Sequence, residues 1–168
     1  MNRYAKSILL LCAIALLNHN VLICADESSV QSTHSFEGVV SKKVAYKYLQ
    51  FLPEGYDSDT SKEWPLILFL HGAGERGNDL QKVKVHGPPK IVKTRPDFPF
   101  VVVSPQCPEG VVWDSEGLLA MLDEVTHRLR IDEKRVYLTG LSMGGFGTWN
   151  LVGQAPGRFA AAAPICGG

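Results

Sequence analysis

The seven residues TGLSMGG at 139–145 constrain the fold of this chain more than any other stretch. Glycine stands two residues before and two residues after Ser142, which is the G-x-S-x-G pattern of a serine held at a sharp turn between a strand and a helix. A side chain at either glycine position would collide with the turn, and the turn strains the backbone of the serine. Residues 135–139 have the β-branched and aromatic composition of a strand, and residues 146–154 fit a helix. This context predicts an exposed nucleophile at Ser142; the alternative is a glycine-rich strand–helix turn without chemistry.

Strand-like and helix-like segments alternate along the rest of the chain. Apolar or alternating runs predict strands at 44–52, 65–70, 100–105, 135–139 and 159–165. Apolar residues at helical spacing predict a helix from 114 or 115 to about 130, and the second helix is the one at 146–154. Shorter helical turns are expected at 79–84 and 91–94, with a break at 87–89, and a turn through Asp132 is expected before the serine strand. The alternation predicts an α/β fold with a mostly parallel sheet covered by helices.

A glycine-rich loop, His71–Gly77, directly follows the buried strand at 65–70. Ligands of such sheets bind outside the carboxyl ends of the strands, so this loop and Ser142 can face one pocket. Backbone N–H groups are suitable donors for a developing oxyanion because they are already oriented. We expect these donors to be the N–H groups of Ala73 and Met143. His71 is expected to hydrogen-bond the loop and not to act as a base.

The first 25 residues have a basic start, a ten-residue apolar run and a small residue at a possible cleavage position, which is the pattern of a signal peptide. The predicted domains are therefore a signal peptide (1–25), a flexible linker (26–38) and the folded domain (39–168), with a secreted or periplasmic location. A retained N-terminal anchor is the alternative, although ten apolar residues are few for a stable membrane insertion.

Composition and cysteine spacing argue against other classes of function. The formal net charge is zero and no basic patch indicates nucleic acid. No cysteine or histidine spacing indicates a metal site, and no cofactor is expected. Outside the predicted signal peptide only Cys107 and Cys166 remain, as a possible disulfide in an oxidising compartment or as two buried thiols.

These motifs together resemble α/β-hydrolases of the dienelactone-hydrolase and prolyl-oligopeptidase-like group, in particular the secreted esterases labelled predicted peptidases or feruloyl and acetyl-xylan esterase-like. The segments that carry the resemblance are 69–77, 104–108, 132–145 and 164–168. The resemblance implies a three-layer α/β-hydrolase sheet and an acyl-serine mechanism on carboxylic esters, with small-molecule or polysaccharide esters as substrates. It also implies Ser142 as the nucleophile, Ala73 and Met143 as oxyanion donors, and Glu75 and Trp113 as pocket residues.

The sequence departs from this group after the serine. The group continues through two more strands that carry the acid and the histidine of the triad, but the 26 residues after Ser142 contain no histidine. Among the earlier histidines, His127 is expected on the solvent face of its helix and His86 is a weak candidate for the base. The expectation is a C-terminally truncated hydrolase that is weakly active or inactive. The alternatives are a non-catalytic fragment and a serine peptidase of the prolyl-oligopeptidase type.

Overall fold

The computed structural model describes residues 34–39 and 41–168. The chain divides into two units, 1–41 and 42–168. In the first unit, residues 34–39 are exposed and have no regular secondary structure. The predicted signal peptide, and the predicted linker as far as residue 33, lie outside the described residues and stay predictions.

A five-stranded sheet in the order β1-β3-β2-β4-β5 forms the second unit. β1 pairs antiparallel with β3, and every other pair of neighbouring strands is parallel. The predicted α/β fold with a mostly parallel sheet is confirmed, and the first predicted strand is an edge strand. The strands are β1 (Lys47–Phe51), β2 (Trp64–Leu70), β3 (Val101–Gln106), β4 (Ile131–Leu141) and β5 (Ala161–Ile165).

Helices cover the two faces of the sheet. α1 (Gly87–Ile91) is short, whereas α2 (Ser115–Arg128) and α3 (Met143–Gln154) are long and follow the predicted segments. The side chain of Asp114 caps α2 by accepting the N–H of Gly117. α2 and α3 share one face of the sheet, where the main core lies; its fully buried leucines are Leu66, Leu68, Leu70, Leu118, Leu122, Leu138 and Leu151.

α1 lies on the opposite face of the sheet. Phe69 alternates along β2 with Leu68 and Leu70, so its ring points away from the main core. A Cβ on Gly87 would lie 2.6 Å from that ring, which places the start of α1 directly on Phe69.

Two local predictions were wrong. The break expected at 87–89 is the first turn of α1, because Pro88 and Pro89 occupy positions where a missing N–H costs no intrahelical hydrogen bond. The turn expected through Asp132 lies within β4, which begins at Ile131. The strand pairing is irregular at this point. Trp64 and Leu66 are two residues apart in β2, but their partners Ile131 and Val136 are five residues apart in β4.

The two cysteines of the second unit do not form a disulfide. Cys107 is a buried free thiol and Cys166 is an exposed one. β5 is an edge strand of the sheet, and its alanines are exposed. Within the described part of the chain, no helix has the length and apolar character needed to cross a membrane.

Candidate active site

Ser142 lies in the turn between β4 and α3 and has the strained backbone that the motif predicts. Its φ of 54° and ψ of −113° lie outside the common regions for a residue with a side chain. A Cβ on Gly140 would lie 2.1 Å from the carbonyl oxygen of Gly144, and a Cβ on Gly144 would lie 1.9 Å from that of Leu70. Only glycine fits at either position. The N–H of Ser142 donates to the carbonyl of Ile165 at 2.8 Å, which ties the turn to the end of β5.

The Ser142 side chain opens into a cavity of about 370 Å³. Trp113 and Met143 also line this cavity, together with Val112, Phe146, Gly147 and Asn150. Ser142 is exposed, and its hydroxyl forms no hydrogen bond with any of residues 34–39 or 41–168. The predicted nucleophile and one of the two predicted pocket residues therefore share one apolar cavity.

The glycine-rich loop reaches the serine turn, as expected from the parallel sheet. It continues β2 as a 3₁₀ turn at Ala73–Glu75. A Cβ on Gly72 would lie 3.7 Å from the Cβ of Ser142 and 3.5 Å from the carbonyl oxygen of Leu141. Met143 begins α3, so its N–H has no partner within the helix. Among the described residues, no backbone hydrogen bond uses the N–H of Ala73 either.

His71 holds this loop through both of its ring nitrogens. Its Nε2 accepts the N–H of Cys107 at 3.0 Å, so the proton is on Nδ1, which donates to the carbonyl of Gly72 at 2.6 Å. The ring is 1% exposed, and this burial lowers the pKa of His71 from its usual 6.5. Since a trans peptide points its carbonyl and N–H in opposite directions, the bond to Gly72 also fixes the direction of the Ala73 N–H. His71 is therefore neutral and structural, with neither nitrogen free for Ser142.

Two side chains for which the sequence predicted no role add further hydrogen bonds: Arg76 within the loop and Gln106 at the end of β3. Arg76 donates through Nε to the carbonyl of Ala73 at 3.0 Å and through Nη1 to that of Val111 at 3.1 Å. Gln106 is buried at the end of β3, and its amide donates to the carbonyls of Glu75 and Asp79 at 2.8 and 2.9 Å. A polar residue ending a buried apolar strand was the available signal for Gln106. Arg76 gave no such signal.

Glu75 is part of the loop but does not line the Ser142 cavity. One carboxylate oxygen would be 3.2 Å from a Cβ on Gly72 and is 3.9 Å from Nδ1 of His71. The other is 3.8 Å from Nε2 of His86, which is about half exposed. The third histidine of the second unit, His127, is exposed on α2 as predicted. None of the three donates to or accepts from the Ser142 hydroxyl, and no group of side chains in the described residues is arranged to hold a metal ion.

Two known proteins with similar sequences are esterases by name. A bifunctional acetylxylan esterase/xylanase of Neocallimastix patriciarum is 35% identical over 118 residues, which cover 66% of this chain and 17% of that protein. A probable feruloyl esterase C of Aspergillus terreus is 29% identical over 128 residues, covering 73% of this chain and 46% of that protein. No family model matches the chain.

The same relationship appears in three dimensions. The crystal structure of a thermostable esterase superposes with a TM-score of 0.59 at 36% sequence identity, covering 74% of this chain and 38% of that one. The chain belongs to the α/β-hydrolase superfamily. The resemblance noted in the sequence is thus confirmed at the level of fold and of esterase relatives. The chain spans between about a sixth and a half of the length of the two sequence relatives.

Proposed function

We propose that this α/β-hydrolase domain acts on carboxylic esters, with Ser142 as the nucleophile and the N–H groups of Ala73 and Met143 as the oxyanion donors. The observation that carries the proposal is the meeting of the strained serine turn with the glycine-rich loop, where Gly72 approaches the Ser142 Cβ. The two N–H groups have no backbone partner in residues 41–168. Such donors are effective because they need no reorganisation as negative charge develops on the substrate oxygen.

The proposed reaction has two acyl transfers. The oxygen of Ser142 attacks the ester carbonyl carbon, the carbonyl oxygen becomes an oxyanion, and collapse of this intermediate breaks the bond to the alcohol. The serine proton leaves with the alcohol, and an acyl-serine remains. Water then attacks the acyl-serine, releases the carboxylic acid and returns the proton to Ser142. Each step needs a group that accepts and then donates this proton.

The cavity next to Ser142 is the proposed site for the acyl part of the substrate. Its volume of about 370 Å³ falls within the range of roughly 300–1,000 Å³ that small-molecule sites occupy. The apolar side chains of Trp113 and Phe146 suit an acyl chain or ring, and Asn150 offers a polar contact. The names of the two sequence relatives support carbohydrate-linked esters as the substrate class. A pocket role for Glu75 stays a prediction, because Glu75 lies outside this cavity.

The proposal includes weak or absent turnover by these 168 residues alone. His71 uses both ring nitrogens, His86 is adjacent to Glu75, and the Ser142 hydroxyl forms no hydrogen bond to any described residue. Without a base among the described residues, Ser142 is an ordinary alcohol. In a model serine protease the oxyanion hole and binding alone retain roughly 10³–10⁴-fold acceleration over water. The non-catalytic alternative differs in that it predicts no acylation of Ser142 at all.

Acylation of the chain by p-nitrophenyl acetate tests the proposal. Intact-mass spectrometry followed by peptide mapping should place one acetyl group on Ser142, whereas Ser142→Ala should remain unlabelled there. Ser58→Ala is the matched control, because Ser58 is an exposed serine that bonds only its local turn, and it should acylate like the unmodified chain. The proposed function is wrong if the acetyl group is found only on lysine or tyrosine side chains, or if labelling is the same in Ser142→Ala.

A further inference from the structure

A second pocket lies on the sheet face that carries α1 and shares no residue with the cavity at Ser142. Its volume is about 220 Å³, and its apolar wall includes Leu49 and Phe51 of β1 and Val102 of β3. Leu49 pairs with Ser104 and Phe51 pairs with Val102 in the β1–β3 ladder, so these four side chains project from the same face of the sheet. The remaining wall comes from α1 and the turns on either side of it.

The floor of this pocket contains a buried hydroxyl group without a partner. Ser104 is 0% exposed, and its Oγ forms no hydrogen bond with any residue that the structure describes. Buried polar groups in folded proteins are almost always hydrogen-bonded, so an unpaired hydroxyl that lines a cavity is available to a polar atom of an occupant. The floor of the pocket therefore offers one hydrogen-bonding group, which is surrounded by apolar side chains.

Lysine side chains form the rim of the pocket. Lys84 and Lys93 line it, and the same two lysines line an adjoining, more open depression of about 540 Å³ together with Lys90. No aspartate or glutamate lines either depression, and none of the three lysines forms an ion pair with a described residue. Lys84 is partly buried despite this lack of a counter-charge. The rim is therefore cationic, and no acidic side chain among its lining residues neutralises it.

We propose that this pocket binds a small organic carboxylate whose apolar body carries a hydrogen-bonding group at its far end. The carboxylate would lie between Lys84 and Lys93, the body would contact Leu49, Phe51 and Val102, and the far group would bond Ser104. The volume is below the lower end of the range for drug-sized ligands, which limits the body to about one ring or a short chain. The site is independent of Ser142 and of the function proposed for it.

Calorimetric titration with three single-ring compounds tests each part of the site. 4-Hydroxybenzoate carries the carboxylate and the far hydroxyl, benzoate lacks the hydroxyl, and 4-hydroxybenzyl alcohol lacks the charge. We expect one 4-hydroxybenzoate per chain, bound about tenfold more tightly than 4-hydroxybenzyl alcohol, as expected for charge-assisted hydrogen bonds. Benzoate should bind about threefold to tenfold more weakly than 4-hydroxybenzoate, because one neutral hydrogen bond is lost.

Variants assign these differences to residues. In the double variant Lys84→Gln/Lys93→Gln the preference for the carboxylate over the alcohol should disappear. Lys134→Gln removes one charge from an exposed lysine of β4 that lines neither depression, and it should change the affinity less than twofold. Ser104→Ala should bind 4-hydroxybenzoate and benzoate equally. The proposal is overturned if Lys134→Gln and the double lysine variant weaken binding alike, or if the alcohol binds as tightly as the carboxylate.

Amide chemical shifts of the unmodified chain give a test that does not depend on any variant being folded. Addition of 4-hydroxybenzoate should shift the amide resonances of Leu49, Val102 and Ser104 and leave the amide resonances of Ser142 and Gly147 unchanged. Shifts confined to Ser142 and Gly147 would assign the ligand to the other cavity and end the proposal. Sulfate that displaces 4-hydroxybenzoate at equal concentration would reduce the site to a basic surface without an organic ligand, and an absence of saturable binding would exclude it.

Discussion

Two neighbouring strands, β2 and β4, end in turns that are held in place by different means. The turn at Ser142 is fixed by close backbone contacts, since side chains at Gly140 and Gly144 would overlap carbonyl oxygens. The loop at His71–Gly77 is fixed by hydrogen bonds from side chains, and several of its partners lie about 30 residues or more away in the sequence. Steric fixation tolerates no added atom, whereas fixation by hydrogen bonds tolerates changes that keep the bonds.

The two turns are also in direct contact, so the difference between them matters for the site. A Cβ on Gly144 would approach the carbonyl oxygens of both Leu70 and His71, at 1.9 and 2.8 Å. The serine turn is therefore packed against the first residues of the loop. A disturbance at Gly144 should move both turns, whereas a disturbance within the loop should leave the serine turn in place.

Gly144→Ala should have the largest effect on stability. The added methyl group overlaps backbone atoms of Leu70 at the end of β2 and of His71 at the start of the loop, and backbone cannot move aside as a side chain can. We expect a loss of at least about 4 kcal/mol in the free energy of unfolding, or failure to fold. Urea denaturation measures it. Gly153→Ala on the same helix is the control: no atom lies within 4 Å of its Cβ, and alanine there should stabilise by up to about 1 kcal/mol. Similar losses in both variants would mean that alanine is unfavourable throughout this helix, and that contact with the backbone of Leu70 does not explain the loss at Gly144.

His71→Phe tests the hydrogen-bonded loop and should have an intermediate effect. The ring is retained, but the N–H of Cys107 and the carbonyl of Gly72 lose their partner in a buried site. A loss of about 2–4 kcal/mol in the free energy of unfolding at pH 8 is expected, since each unpaired buried group costs about 1–3 kcal/mol. The exposed His127 provides the control, because His127→Phe replaces an imidazole that forms no such bonds with the described residues and should change stability by less than about 0.5 kcal/mol.

The same variant has a signature in its pH dependence. Burial lowers the pKa of His71 in the folded chain, whereas the unfolded chain binds a proton near the usual pKa of 6.5. Stability should be complete above pH 6.5 and should be lost as the pH falls below it, by up to about 1.4 kcal/mol per pH unit until the folded pKa is reached. His71→Phe should lack this contribution. An unchanged slope between pH 7 and pH 5 in the variant would show that other groups cause the acid sensitivity.

The sequence predicted the serine turn better than the loop, and the reason is physical. A steric constraint determines which residue type can stand at the position where it acts. Gly140, Ser142 and Gly144 therefore predict the turn and its strain without knowledge of the rest of the fold. The strands and long helices were predicted for a similar reason, because their apolar spacing is local. A hydrogen bond needs two partners, and the pairs that link Arg76 to Val111 or Gln106 to Glu75 exist only once the strands are in register.

At Pro88 and Pro89, where α1 begins, a local sequence signal gave a wrong prediction. A proline pair predicts a break when only local composition is considered, but proline interrupts a helix only beyond its first turn. Where a helix begins depends on the tertiary position of the preceding residues, here the packing of Gly87 on Phe69. The local composition alone therefore supported the break and the helix start equally well.

Ser142 provides the smallest and sharpest test, because two substitutions separate its backbone from its hydroxyl. Ser142→Ala retains the Cβ and so retains the strain at φ 54°, and the hydroxyl has no partner to lose, so stability should change by less than about 0.5 kcal/mol. Ser142→Gly relieves strain of roughly 1–3 kcal/mol but gives the unfolded chain back about 0.4–1 kcal/mol of entropy. The net expectation is a gain of about 1 kcal/mol over Ser142→Ala in the same urea titration. If Ser142→Gly is instead the less stable of the two, the turn is not strained by its side chain. The steric account of the serine turn would then apply to the glycines at 140 and 144 and not to Ser142 itself.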